Sequence, residues 1–288
     1  MSFLSIAFVS FVAITFIAFH WAPARWRPQV LLATSLAFYA THGLGYLILL
    51  VTVALGTHGA AILIEREAAE AGKKRILIGA VSALIALLCT FKLGGALDLP
   101  PKPAEAMQAD AVWRFVLPLG LSYYLFKLIS YLLEVYWENV PAQQNWVSVG
   151  LYAAFFPQIV SGPIQRPGDF FKQLAQVGHI DPEDLTIGLR RILFGLFKKI
   201  AIADRLGPVV AAIHAAPEAH SQLELLFGAY AYAIQLYADF SGLTDIALGI
   251  GRLFGIKGPE NFALPFFARN LQEYWRRWHM SLTSWLAD

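Results

Sequence analysis

Two neighbouring stretches decide the interpretation of this chain: YADFSGLTDIALGIGRLFG (residues 237–255) and ENFALPFFARNLQEYWRRWHMSLTSW (residues 260–285). They place ionisable side chains in a sequence that is otherwise largely apolar. Those side chains are Asp239, Asp245, Arg252, Arg269, Glu273, Arg276, Arg277 and His279. An ionisable group in a bilayer costs about 3 kcal/mol or more unless it faces protein or water, so each is a candidate functional residue.

The second stretch sorts into two faces if it forms one continuous helix with about 100° between residues. The apolar face would hold Trp275, Trp278, His279, Leu282, Trp285 and Leu286, and the polar face Arg269, Glu273, Arg276 and Arg277. The order of Glu273 and Arg277 favours an i,i+4 ion pair.

His279 would then lie in a tryptophan-rich environment, away from the arginines. A neutral imidazole in such a setting can act as a base or orient a reacting group. The alternative is a packed histidine whose N–H groups are hydrogen-bonded and which has no chemical role.

The two aspartates do not form a paired carboxylate site, since six residues separate them and place them about 120° apart on a helix. The segment Asp239-Phe-Ser-Gly is expected to break the helix and cap the next one. Asp245 and Arg252 share a face two turns apart and could pair through neighbours.

Composition identifies a membrane protein. Hydrophobic residues make up 57% of the 288 residues and charged residues 15%, with a net charge of +2. Soluble domains carry about 25% charged residues. No basic block suggests binding to nucleic acid, and no carboxylate or cysteine stands at metal-ligand spacing from the histidines at 42 and 58, so we expect no metal.

Apolar runs of membrane-spanning length predict an all-α, multi-pass protein with about seven to nine membrane segments, some of them short, tilted or re-entrant. The first is retained rather than cleaved, and the later arginines place the N-terminus outside the cytoplasm. A turn at His42-Gly-Leu-Gly separates two further spans. The predicted spans before the central loop cover about residues 2–20, 29–41, 46–64 and 76–91.

Two basic residues outside the opening stretches are also candidates. Lys127 lies in the middle of the apolar run 115–137, so it either lines a cavity on the substrate path or snorkels to an interface. Arg166 lies in the turn Ser-Gly-Pro-Ile-Gln-Arg-Pro and could hold a phosphate or carboxylate, although arginines are equally common at membrane boundaries. The segment 186–206 predicts an amphipathic helix whose basic residues touch anionic lipid.

Four ordered motifs resemble the membrane-bound O-acyltransferase family, in particular its bacterial branch that acts on alginate and teichoic acid. They are LPLGLSYYLFKLISYLLEVY (117–136), FFPQIVSGPIQRPGDF (155–170), the 237–255 stretch with PENF, and WRRWHMSLTSW (275–285). The resemblance implies a ring of helices around a thinned centre, in the cytoplasmic membrane of a bacterium. It also implies acyl transfer, usually of acetyl, from a cytoplasmic thioester such as acetyl-CoA or an acyl carrier protein to an exported glycan.

The resemblance also assigns roles. His279 would be one of two active-site histidines, with Trp275, Arg276, Arg277, Asp239, Asn261 and Arg166 as supporting positions. No bound cofactor is implied, and the partners would be membrane lipids, a polysaccharide acceptor and an extracytoplasmic acetyltransferase or acceptor protein.

The resembled family continues through further spans that carry its second histidine, which has no counterpart here. We therefore expect residues 1–288 to form a single membrane-embedded domain without its C-terminal part, that is, a partial ring. The alternative function is an inactive remnant or scaffold subunit of an envelope-modifying complex. A transporter is a third interpretation, suggested by Lys127 and the intramembrane acids, but it predicts internal repeats that the sequence lacks.

Overall fold

The computed structural model describes residues 5–97, 117–177 and 181–288. These residues form helices and no strand, as the composition predicted. They divide into two compact units, residues 1–160 with 165–178, and residues 161–164 with 179–288. The prediction of one domain over 1–288 stays a prediction.

Within the described residues the first unit contains seven α-helices, of which two are long, with 23 and 28 residues. A single turn of 3₁₀-helix precedes the second. The helices are α1 (Ile6–Trp21), α2 (Arg27–Ala40), α3 (Leu44–Arg66), α4 (Glu70–Leu97), α5 (Leu121–Tyr136), α6 (Trp146–Ala154) and α7 (Pro167–Ala175). The turn predicted at His42 is confirmed, and Gly43 adopts a φ of 131° there.

Two helices in the described residues are long and apolar enough to cross a membrane, Leu44–Arg66 and Glu70–Gly94. Helix α4 continues to Leu97, so the prediction that this span ends at residue 91 and is followed by a loop is wrong at this boundary. Most of the predicted loop lies outside the described residues. Cys89 in this helix is exposed.

The entry to α5 depends on a glycine. Gly120 has a φ of 68°, and a Cβ atom there would lie 2.0 Å from the carbonyl oxygen of Ile159. Only glycine fits so close an approach in a left-handed conformation. This contact fixes α5 against the turn that follows α6.

Helix α5 directs Lys127 inward, where only 4% of the residue is exposed. Its ammonium lies 4.5 Å from the ring centre of Tyr152 and 5.3 Å from that of Phe170. It also donates to Gln158 Oε1 at 3.4 Å, and Gln158 Nε2 donates to Gln165 Oε1 at 2.9 Å. The snorkelling alternative is therefore wrong, because aromatic faces and an amide oxygen hold the charge inside the unit.

This arrangement predicts energetic coupling between Lys127 and Tyr152. A double-mutant cycle with Lys127→Met and Tyr152→Leu should give about 2 kcal/mol, the size of a desolvated cation–π contact. Thermal unfolding in detergent measures it. Tyr152→Phe is the control, since it keeps the ring face and should leave the coupling in place. A coupling energy between the two substitutions below about 0.5 kcal/mol would contradict the cation–π contact of Lys127 with Tyr152.

The part of the second unit that the structure describes contains five α-helices and a seven-residue π-helical stretch, Phe197–Ala203, which joins two of them without a break. Single 3₁₀ turns lie before α10 and α11. The helices are α8 (Pro182–Leu196), α9 (Asp204–Ala215), α10 (Gln222–Leu253), α11 (Leu271–Arg277) and α12 (Met280–Ala287).

Helix α10 runs unbroken for 32 residues from a capping box formed by Ser221 and Glu224. The predicted break at Asp239-Phe-Ser-Gly is therefore wrong. The short polar residues there do not cap a new helix, because Gly242 is used for close packing and Asp239 pairs with Lys199 at 2.5 Å.

Helices α8 and α10 pack closely through alternating layers of glycines and ion pairs. A Cβ atom on Gly195 would lie 2.6 Å from the carbonyl oxygen of Gly242, and one on Gly249 would lie 2.7 Å from that of Gly188. In order, the layers are Asp184–Arg252, Gly188–Gly249, Arg191–Asp245, Gly195–Gly242 and Lys199–Asp239, and Lys199 belongs to the π-helical stretch that continues α8. The glycines let the backbones approach, and this approach brings each cation within reach of its carboxylate.

These layers correct one prediction. Asp245 pairs with Arg191 at 3.0 Å and with Lys198 at 2.6 Å, whereas Arg252 bonds Asp184 at 2.9 Å, so Asp245 and Arg252 belong to separate layers. Arg191, Lys198 and Lys199 are each bonded to a carboxylate, and contact of this segment with anionic lipid stays a prediction.

Candidate active site

The candidate site lies in the second unit, where the segment 260–263 runs beside the junction of α11 and α12. The predicted continuous helix is wrong: α11 ends at Arg277, Trp278 is extended, and His279 has a φ of 45° and a ψ of 50°. The helical wheel of the sequence analysis therefore does not hold. Trp275, expected beside His279, is 52% exposed on α11.

The sharp turn is fixed by hydrogen bonds from the neighbouring segment. The N–H of Met280 donates to the carbonyl oxygen of Asn261 at 2.9 Å, and the N–H of Ala263 donates to that of Arg277 at 3.0 Å. A left-handed residue other than glycine costs of order 1 kcal/mol and persists only where its surroundings impose it. Such strained positions are frequent at functional sites.

Asn261 is fully buried and organises the turn through its side-chain oxygen. Oδ1 accepts the N–H of Ser281 at 3.2 Å and its hydroxyl at 2.8 Å, and it lies 3.0 Å from His279 Nδ1. The hydroxyl of Ser281 accepts the N–H of Ile164 in turn. Asn261 Nδ2 has no acceptor among the residues that the structure describes, so the amide is held through its oxygen.

This geometry sets the tautomer of His279. A backbone N–H can only donate, so the Asn261 atom that faces Ser281 must be the amide oxygen. A carbonyl oxygen can only accept, so His279 Nδ1 carries the hydrogen and the lone pair of the neutral ring lies on Nε2. The imidazole is thus arranged as a base at Nε2.

The surroundings of His279 keep it neutral. It lies outside both candidate membrane spans, and burial lowers its pKa to about 4. The aromatic setting expected from the sequence is present but comes from another helix: the ring of Phe240 on α10 meets the imidazole edge-on at 4.8 Å. Phe262 packs edge-on against Phe240 at 5.0 Å and against Trp278 at 5.1 Å.

The other site candidates of the second unit occupy separate positions. Arg277 pairs with Glu273 at 2.5 Å, which confirms the predicted i,i+4 pair. Arg276 is exposed on α11. Asp239 and Asp245 belong to the ionic layers between α8 and α10. Lys127 and Arg166 belong to the first unit, where Arg166 precedes α7 as its N-terminal cap position.

The sequence analysis missed two residues around the site, Arg191 and Glu260. The terminal nitrogens of Arg191 bond both carboxylate oxygens of Glu260, the residue before Asn261. This bond lowers the pKa of the Glu260 carboxyl. One signal in the sequence could have indicated them. Residues 190–199 contain several cations, and cations in an apolar chain need carboxylate partners elsewhere in that chain.

No group of three or more potential metal ligands occurs within residues 5–97, 117–177 and 181–288. The groups that the site brings together are the neutral imidazole of His279 and the amide of Asn261. Together with the apolar spans, they define a helical membrane protein with a candidate base held in a strained turn.

Comparison with known proteins identifies the family. Residues 142–288 match the membrane-bound O-acyltransferase family. The chain is 33% identical over 272 residues to the probable alginate O-acetylase of Azotobacter vinelandii, covering 93% of this chain and 54% of that protein. It is 29% identical over 291 residues to the peptidoglycan O-acetyltransferase of Helicobacter pylori, covering 90% and 54%.

A third relative is the teichoic acid D-alanyltransferase of Bacillus subtilis, 34% identical over 172 residues, with 59% of this chain and 44% of that protein covered. The chain belongs to the membrane-bound O-acyltransferase family, as its motifs indicated. It spans about half the length of the curated relatives it matches.

Proposed function

We propose that this chain is part of a membrane O-acyltransferase that transfers an acyl group, most simply acetyl, to a hydroxyl of an exported polysaccharide or cell-envelope glycan. The observation that carries the proposal is the Asn261–His279 pair, which holds a neutral imidazole with its lone pair on Nε2. The names of the relatives support the substrate class, since they act on alginate, peptidoglycan and teichoic acid.

In the proposed reaction, His279 Nε2 takes the proton of the acceptor hydroxyl as its oxygen attacks the thioester carbonyl. The new ester C–O bond forms and the C–S bond breaks. The thiolate leaves with the proton that the imidazolium returns, so the base is regenerated. The donor would be acetyl-CoA or an acyl carrier protein thioester on the cytoplasmic side.

The other candidate residues support this reaction in the proposal. The exposed side chains of Trp275 and Arg276 on α11 would line the substrate channel, with Arg277 beside them. Lys127 and Arg166 are proposed as supporting residues within the first unit. Membrane lipids and an extracytoplasmic acetyltransferase or acceptor protein would be the partners.

We further propose that the chain crosses the bacterial cytoplasmic membrane in about seven to nine segments of a helical ring, with its N-terminus outside. The α8–α10 pair supports more membrane segments than the two candidate spans identified by length and hydropathy. Its cations Arg191, Lys198, Lys199 and Arg252 face carboxylates, while the apolar side chains of Leu189, Leu193, Phe197 and Ile200 are exposed. Such a pair can lie in hydrocarbon despite its charges.

Transfer in native membranes tests the proposal. Membranes of cells that make the protein from its own gene, given acetyl-CoA labelled in the acetyl group, should form alkali-labile glycan ester. Membranes of a strain that lacks the gene should form at most about one tenth as much labelled glycan ester. Equal labelling in both strains would overturn the proposal. A scaffold without catalytic chemistry would instead be recognised by full complementation with His279→Asn.

A further inference from the structure

Arg191 connects the rigid α8–α10 pair to the segment that carries Asn261. Its Nε donates to Asp245 Oδ1 at 3.0 Å, and its two terminal nitrogens bond the two oxygens of Glu260. Asp245 also accepts Lys198 Nζ at 2.6 Å, so its position on α10 is fixed independently of Arg191. The Arg191 guanidinium therefore connects Asp245, whose position on α10 is fixed, to Glu260 in the loop that follows α10.

The loop contains no regular secondary structure between residues 256 and 264, so its position depends on the contacts at its two sides. On one side, Asn261 and Ala263 bond the turn around His279. On the other side, Arg191 holds Glu260, the residue next to Asn261. The planar fork of arginine matches a carboxylate in two bonds at once, which fixes direction as well as distance.

We propose that Arg191 is a positioning residue for His279, acting through Glu260 and Asn261. The inference rests on the proposed function of His279 as a base. Arg191 does not need to touch substrate for this role. It keeps Asn261 Oδ1 where it accepts from His279 Nδ1, and this bond keeps the lone pair on Nε2.

The effect should appear in catalysis rather than in folding. The glycine layers and the Lys198–Asp245 pair remain when Arg191 is changed, so α8 and α10 stay together. Misplacing a reacting group by about 1 Å can cost about 100-fold in rate, even when the change lies far from the chemistry.

The variant Arg191→Lys tests the role, because lysine keeps the charge but lacks the fork. We expect the turnover of acyl transfer to fall at least tenfold. Glu260→Gln should fall by a similar factor, and the double variant by no more than either single one, since both act through one contact. Arg190→Lys is the matched control: Arg190 is the exposed neighbour on α8, and its change should leave turnover within twofold.

A second readout separates positioning from a general structural effect. The rate at which diethyl pyrocarbonate modifies His279, followed by mass spectrometry in native membranes, should rise severalfold in Arg191→Lys and stay constant in Arg190→Lys. Unchanged modification of His279 in Arg191→Lys would overturn the inference, with or without a loss of turnover. This readout needs no transfer activity, so it decides the role of Arg191 even if the proposed function fails.

Discussion

His279→Asn should lower acyl transfer by about 1000-fold while leaving the protein folded. General-base catalysis contributes about 100- to 10,000-fold, and asparagine has no group that can accept the proton. Asparagine is the suitable replacement for two reasons. It tolerates the left-handed conformation that His279 adopts, and its amide can donate to Asn261 Oδ1 in place of Nδ1.

The measurement is the initial rate of labelled acyl transfer in membranes, together with the unfolding temperature. His214→Gln is the control, since His214 is an exposed residue of α9 whose Nδ1 bonds the carbonyl oxygen of Val210 one turn earlier. His279→Asn should unfold within a few degrees of the unchanged protein. Full transfer by His279→Asn would remove His279 from the mechanism.

The pH dependence of the unchanged protein gives an independent check on the same group. Since burial lowers the pKa of His279 to about 4, the base stays deprotonated and the rate should be nearly constant from pH 8 to pH 5.5. A histidine with the ordinary pKa of about 6.5 would lose about tenfold over this range. The free energy of unfolding should depend on pH in the direction opposite to that given by a salt-bridged histidine. Between pH 6.5 and 4 only the unfolded state binds the proton at His279, so the protein becomes less stable as the pH falls.

Gly195→Ala and Gly242→Ala should each destabilise the second unit by about 1–3 kcal/mol, the usual cost of overpacking. The added methyl groups would lie 2.6 Å and 2.9 Å from a carbonyl oxygen of the facing helix. A backbone atom cannot move aside as a flexible side chain can, so α8 and α10 must separate. Separation would also lengthen the ion pairs in the adjacent layers, including the one between Arg191 and Asp245.

Gly56→Ala in α3 is the matched control, because no atom lies within 4 Å of a Cβ atom there. Alanine is favoured over glycine in a helix by about 1 kcal/mol, so this change should leave the unfolding temperature unchanged or raise it. Thermal unfolding in detergent, followed by the loss of helical circular dichroism, measures all three variants. If Gly195→Ala were as stable as Gly56→Ala, the close glycine contact would be refuted.

Local sequence patterns determined the elements of this fold and its family. The apolar runs predicted helices, and the turn at His42 divided two of them correctly because a glycine-containing polar stretch cannot continue a span. The i,i+4 spacing of Glu273 and Arg277 was sufficient to predict their ion pair. The four motifs identified the family, and His279 was a candidate from residue type and context.

Tertiary structure decided what the charges do. A helical wheel assumes a continuous helix, and it failed at His279 because hydrogen bonds from residues 261 and 263 stabilise a left-handed turn that local propensity disfavours. Likewise, the sequence shows Lys198, Lys199 and Asp245 only as costly charges. Lys199 has one partner nearby in the sequence, Asp204, but Asp239 lies about 40 residues from Lys199 and Asp245 lies 47 residues from Lys198. The close approach of α8 and α10 at their glycines brings these distant pairs together. Ion pairs between distant segments depend on distance in space, which the order of residues in a sequence does not specify.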